Sequence, residues 1–108
     1  MPVLKRGGGR VLVHKLMPDK IRGIEIDRLE FSGNSSMGGK PHLPGCKEYL
    51  VALTGEVSVT VAGAQYVVTP GDVLAFPGDQ KHGYRNRGHS SASALSVVLP
   101  VPYLPGTS

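Results

Sequence analysis

Two histidines and one glutamate are the residues of this chain best suited to chemistry. His42 stands six residues before Glu48, and His82 lies far downstream, after the turn Pro77-Gly78-Asp79. Two imidazoles and one carboxylate match a 2-His-1-carboxylate metal site with open coordination positions. Spacing alone is a weak signal, because four histidines in 108 residues is near ordinary usage. On a β scaffold side chains alternate with period 2. His82, Tyr84 and Asn86 then share one face, and so do Glu48, Leu50 and Ala52. A glutamate that opens an apolar strand points either to a polar pocket or to solvent. The structural alternative makes Glu48 and His82 hydrogen-bonded interior groups, since a buried charge needs a partner. Tyr84 either lines the pocket or caps its mouth. Cys46 precedes Glu48 by two residues but has no base at defined spacing, so thiol catalysis is not expected. His14 and His89 read as surface residues, and Asn86 as a turn-closing group. Arg85 reads as solvated, or as a counter-charge for an anionic ligand.

The elements that must position these residues are short strands. Residues 10–16 (RVLVHKL), 24–31 (IEIDRLEF), 48–53, 56–61 (EVSVTV), 65–68, 73–76, 82–86 and 92–99 (ASALSVVL) have strand chemistry. In 24–31 the alternation is broken midway, as a bulge or a two-sided strand would do. Residues 32–39 (SGNSSMGG) read as a loop, Thr54-Gly55 as a tight hairpin turn, and Ala62-Gly63-Ala64 as the next turn. Turn glycines at 45, 55, 63, 71 and 78 bound strands at roughly 8–12-residue spacing, the mark of an all-β sandwich or barrel. No 10–15-residue segment has helical period, so βαβ units are not expected.

The whole is one domain: 108 residues hide about 60–70% of the unfolded surface, enough for a core without disulfides. At 40% apolar the chain is globular, and 15 Gly with 9 Pro exclude a helix bundle or coiled coil. Residues 1–10, rich in Gly and Lys/Arg, read as a flexible lead-in, 11–104 as the folded domain and 105–108 as a tail. No run is long and apolar enough for a transmembrane helix, so no membrane partner is expected. The start MPVLKRGGGR lacks a signal-peptide core, and Cys46 is the only cysteine; both point to a cytoplasmic home. The net charge of +4 and pI near 9.5 invite a nucleic-acid reading. The basic residues are scattered, however, and only six aromatics are available for stacking. Direct nucleic-acid binding is not expected.

The segment GKPHLPGCKEYLVALTG resembles the first motif of the cupin superfamily: Gly, five residues, His-x-His, three or four residues, Glu, six residues, Gly. Here His42, Glu48 and Gly55 fall in place. GDVLAFPGDQKHGYRN resembles the second motif, Gly, five residues, Pro-x-Gly, two residues, His, three residues, Asn, through Gly71, Pro77, His82 and Asn86. The likeness spans residues 39–86 by motif and nearly the whole chain by strand pattern. It implies a double-stranded β-helix, the jelly-roll barrel. Two positions depart: Pro44 replaces the second histidine of His-x-His, and Asp79 replaces a glycine of the second motif. The family's four metal ligands thereby reduce to three, His42, Glu48 and His82. Three can still hold one divalent ion (Zn, Ni, Mn or Fe), with water or substrate filling the rest.

The phrasing of both motifs, with a closing strand and a Pro-Tyr tail, is also similar to the C-terminal cupin of XRE-type helix-turn-helix transcription regulators. That resemblance implies a sensor of a small polar or anionic molecule, with His42, Glu48, His82 and Tyr84 as ligand-binding residues and a homodimer as the assembly. The alternative is a small metal-dependent enzyme, a dioxygenase, isomerase or lyase. A third expectation, compatible with the first, is a dimerisation module using apolar residues of 92–99.

Overall fold

The computed structural model describes residues 2–101. Ten strands run in the order β1 (Val3–Arg6), β2 (Val11–Lys15), β3 (Glu25–Phe31), β4 (Ser35–Gly39), β5 (Cys46–Thr54), β6 (Val57–Val61), β7 (Ala64–Val68), β8 (Val73–Pro77), β9 (His82–Asn86) and β10 (Ala92–Pro100). One 3-10 turn, Gly7–Gly9, interrupts them. The strands form a six-stranded sheet, β1-β2-β3-β10-β5-β8, and a four-stranded sheet, β4-β9-β6-β7, and all their pairings are antiparallel. Among the described residues no helix is long and apolar enough to cross a membrane.

The alternation of β6 shows why these residues make these elements. Val57, Val59 and Val61 all turn inward and are buried, and β-branched side chains suit a pleated, half-buried surface. Inward residues of both sheets merge into one cluster with Val11, Leu29, Phe31, Leu50, Ala52 and Phe76. Leu50 and Phe31 are fully buried, each contributing about 1.5–3 kcal/mol by removal from water.

Four details differ from what the sequence suggests. Residues 32–39 are not all loop: Ser35–Gly39 is strand β4, paired with β9 through Met37 opposite Tyr84 and Gly39 opposite His82. Serine and glycine have poor strand propensity, and the neighbouring strand's hydrogen bonds override it. Thr54-Gly55 is not a hairpin. β5 pairs with β10 and β8, whereas β6 pairs with β7 and β9, so the chain crosses here from one sheet to the other. Gly55 has φ of +69° and packs against Ala92, where a Cβ would crowd that alanine. The lead-in is not featureless either, because Val3–Arg6 forms edge strand β1 against β2. Last, β3 keeps one unbroken register with β2 and with β10. Its irregular pattern arises because one inward face holds both carboxylates and apolar groups. The expected turn at Ala62-Gly63 is present as the two-residue link of the β6–β7 hairpin, both residues having positive φ. The tail from Pro102 onward lies outside the described residues.

Candidate metal centre

His82 and Tyr84 sit two apart on β9 and both point inward, as strand period requires. Glu48 faces inward from β5 and is fully buried. His42 comes from the loop between β4 and β5, where its N–H donates to the Gly78 carbonyl at 2.8 Å. The fold thus brings His42, Glu48 and His82 together, with one ligand atom from each within 4.8 Å of the others. Tyr84 joins them by donating its hydroxyl to Glu48 Oε2. Burial and, after it, the Glu48 charge push the Tyr84 phenol far above its ordinary value, so it stays a donor.

The donor set can be tested against a metal atom by atom. His82 Nδ1 lies 2.8 Å from the Gln80 carbonyl, which can only accept, so Nδ1 carries the proton and Nε2 the lone pair. That Nε2 is buried without a hydrogen-bond partner, though it lies 3.5 Å from Glu48 Oε1. A buried nitrogen lone pair without a hydrogen-bond partner, beside a carboxylate oxygen, fits the donor set of a metal ligand. His42 directs Nε2 to Glu48 Oε1 at 3.3 Å and Nδ1 to Glu25 Oε2 at 3.0 Å. With Tyr84 on the other Glu48 oxygen, Oε1 is the atom that faces both imidazoles. Two imidazole nitrogens and one carboxylate oxygen suit Zn, Ni, Mn or Fe. Without an ion, the hydrogen bond to Glu48 outweighs burial and, with Glu25, raises the His42 pKa, so a proton competes for this place.

Several residues at the site are not singled out by motif spacing. The cavity above the triad has a volume of about 450 Å³ and is lined by His42, His82 and Tyr84 together with Lys15, Glu25 and Asp27. Lys15 Nζ lies 3.0 Å from Glu25 and 2.9 Å from Asp27. Burial pushes Glu25 up, but Lys15 and His42 outweigh it and hold its pKa below the ordinary carboxylate value. At Asp27 burial wins over Lys15 and the pKa rises. Burial lowers Lys15, yet its two carboxylates raise it on balance. The one sequence signal for this cluster is that Glu25 and Asp27 share the β3 face of Leu29 and Phe31. Gly39 is the other overlooked position: a Cβ there would collide with the His82 imidazole.

The remaining candidates fall away from the centre. Pro44 is exposed and absent from the cavity lining, so nothing stands in for the missing histidine there. Cys46 is buried at the cavity edge with Sγ 3.9 Å from the Gly23 carbonyl. Asn86 closes a turn, donating to Ser32 and Ser90 carbonyls and accepting from the Gly88 N–H. His14 pairs with Glu30 at 2.9 Å, and His89 lies 3.3 Å from Asn34. Arg85 is exposed and is not part of this cavity.

The comparisons with known proteins agree with this picture. The chain is 38% identical over 78 residues to germin-like protein subfamily 3 member 1 of Arabidopsis thaliana, covering 68% of this chain and 37% of that protein. It therefore spans little more than a third of that relative's length. Among solved structures, the cupin domain of an XRE-family transcriptional regulator from Enterobacter cloacae superposes with a TM-score of 0.78 at 23% identity. The match covers 87% of this chain and 99% of that one. A predicted oxalate decarboxylase of Thermotoga maritima superposes with a TM-score of 0.71 at 21% identity, covering 84% and 81%. At such identities the structures attest the fold alone. Residues 30–98, most of the chain and both histidine-bearing segments, match the family described as the cupin domain, and to that family the chain belongs.

Proposed function

We propose that this cupin domain binds a small polar or anionic molecule in its 450 Å³ cavity, as the sensing part or a relative of an XRE-type transcription regulator. One divalent ion held by His42, Glu48 and His82 would floor the cavity and supply a Lewis-acid centre for a ligand's oxygen atoms. Tyr84 keeps Glu48 oriented, and the cavity volume suits a metabolite-sized ligand. The observation that carries the reading is the commitment of every carboxylate around the cavity. Glu48 is held by Tyr84 and His42, Glu25 by Lys15 and His42, and Asp27 by Lys15. Such a wall holds a ligand while each of its carboxylates already has a charged or hydrogen-bonding partner. The fold is one that a regulator's cupin domain shares over nearly all of that domain's length, so it is compatible with this role. Sensing needs only differential binding between two states. In this reading the domain works as a cytoplasmic homodimer and does not itself contact nucleic acid or membrane.

The second reading, a metal-dependent enzyme, is favoured by the open side of the triad toward the cavity. The two part in one experiment. Protein purified without chelator is analysed for metal beside Glu48→Ala, then screened by thermal shift against small carboxylates, sugar phosphates and amino acids, with product analysis of each hit. Stoichiometric metal in the wild type alone, with ligands that stabilise without being consumed, is expected. A ligand at one hundred times its Kd adds about 2.7 kcal/mol. Consumption of a hit by the wild type and not by Glu48→Gln would replace sensing with catalysis.

A further inference from the structure

The two imidazoles of the triad are oriented by different means. His82 stands on a strand, its Nδ1 anchored to a backbone carbonyl and its ring packed against Phe76 and Tyr84, with centroids 5.3 and 5.5 Å away. His42 stands on a loop and its side chain is one-fifth exposed. The near contact of its ring is His82 at 5.7 Å. What holds its Nδ1 is the Glu25 carboxylate, 3.0 Å away, from the far side of the cavity. Glu25 is itself tied at 3.0 Å to Lys15, which also binds Asp27.

Resting on the metal reading above, we infer that Glu25, steadied by Lys15, is a positioning residue for His42: it fixes which ring nitrogen faces the ion and makes that nitrogen a stronger donor. A carboxylate on the outer nitrogen of a metal-bound imidazole sets the tautomer and raises ligand basicity. Loss of such a partner costs about 10–100-fold in metal affinity. The need is acute here because Pro44 stands where a further histidine would share the load. A loop histidine in a three-ligand set has no redundancy, and a ring turned by half a rotation would present Nδ1 and lose the site. Lys15 serves by neutralising Glu25 beside Asp27. Without it two carboxylates face each other across one strand face, and Glu25 turns to solvent.

The test is Co²⁺ binding to the whole chain, read by the visible absorption of the bound ion and by competition with a chromophoric chelator. Glu25→Ala is expected to weaken binding at least about tenfold and to change the spectrum at saturating Co²⁺, because His42 is no longer held. Glu25→Gln keeps an acceptor for Nδ1–H and should recover part of the affinity, while Lys15→Met should weaken binding several-fold with Glu25 intact. Affinity within twofold of the wild type in Glu25→Ala would overturn the inference. So would weaker binding with an unchanged saturated spectrum, the result of a merely stabilising role. If Glu25→Ala does not fold, Glu25→Gln and Lys15→Met decide by the same two readouts. Wild-type protein that binds no Co²⁺ would overturn the metal reading itself and this inference with it. Tight binding by wild type and variants alike would overturn this inference alone.

Discussion

The inward face of the six-stranded sheet changes character halfway along its strands. At one end the paired residues are apolar: Val13, Leu29, Ala94 and Ala52 lie side by side, and Val11, Phe31 and Ala92 form the next row. At the other end the same strands present Lys15, Asp27, Ser96 and Leu50, then Glu25, Val98, Glu48 and Phe76. On the facing sheet the site residues stand among apolar and small neighbours: Tyr84 lies between Met37 and Val59, and His82 between Gly39 and Val61. Strand period decides only which side chains are inside. Position along the strand decides whether the interior is core or cavity. The apolar half stabilises by exclusion of water, and the polar half persists because each charge has a partner.

The difference can be broken from the apolar side first. Phe31→Ala should cost about 3–5 kcal/mol in urea unfolding, yet folded variant should retain metal in the wild-type ratio. Loss of metal with little loss of stability would mean the two halves are not separate. Tyr84→Phe probes the polar half. It leaves a buried Glu48 oxygen without its donor, for an expected cost of about 1–3 kcal/mol, and a bound divalent ion should restore most of it. An equal cost with and without ion would show that the ion does not compensate the Glu48 oxygen left without its donor. Gly39→Ala should reduce ion affinity about tenfold or more, a shift of about 1.4 kcal/mol, because His82 is wedged by Phe76 and Tyr84 and cannot yield freely. Unfolding midpoints of the metal-free variant should move less than ion affinity does.

The smallest effect is a pH dependence at the polar end. Burial raises the Asp27 pKa above its ordinary 3.8, so the folded state holds that proton more tightly than the unfolded one. The wild type therefore loses stability relative to Asp27→Asn as pH rises from the ordinary aspartate range through the raised value, and the difference is constant above it. Parallel chemical denaturation between about pH 3 and 7 measures this difference. A difference that shrinks as pH rises through the window would show that Lys15 dominates at Asp27.

Much of the site was legible because spacing on a strand constrains facing. His82 and Tyr84 share a face on any strand, and the two motif segments point to His42, Glu48 and His82 through their resemblance to the cupin pattern. Period 2 also puts Glu25 and Asp27 with Leu29 and Phe31, but sequence reads that mixture as an irregular strand. Its meaning depends on Lys15 arriving from β2 and His42 from a loop, neither of which local pattern encodes. The hairpin reading of Thr54-Gly55 failed for a related reason. A glycine turn permits a reversal, and whether the chain pairs with itself or steps to the facing sheet is settled by which neighbours bury β6.

The sequence by itself determined the all-β class, the strand positions along most of the chain and the inward faces, because these follow from local periodicity; the three residues that can hold an ion came from the resemblance of its two motif segments to the cupin pattern. Tertiary structure alone decided that Ser35–Gly39 is a strand, that Val3–Arg6 closes an edge, and that Lys15, Glu25 and His42 form one chain of charge beside Glu48. Hydrogen-bond pairing and charge compensation act between residues distant in sequence, and only the closed barrel sets which of them meet.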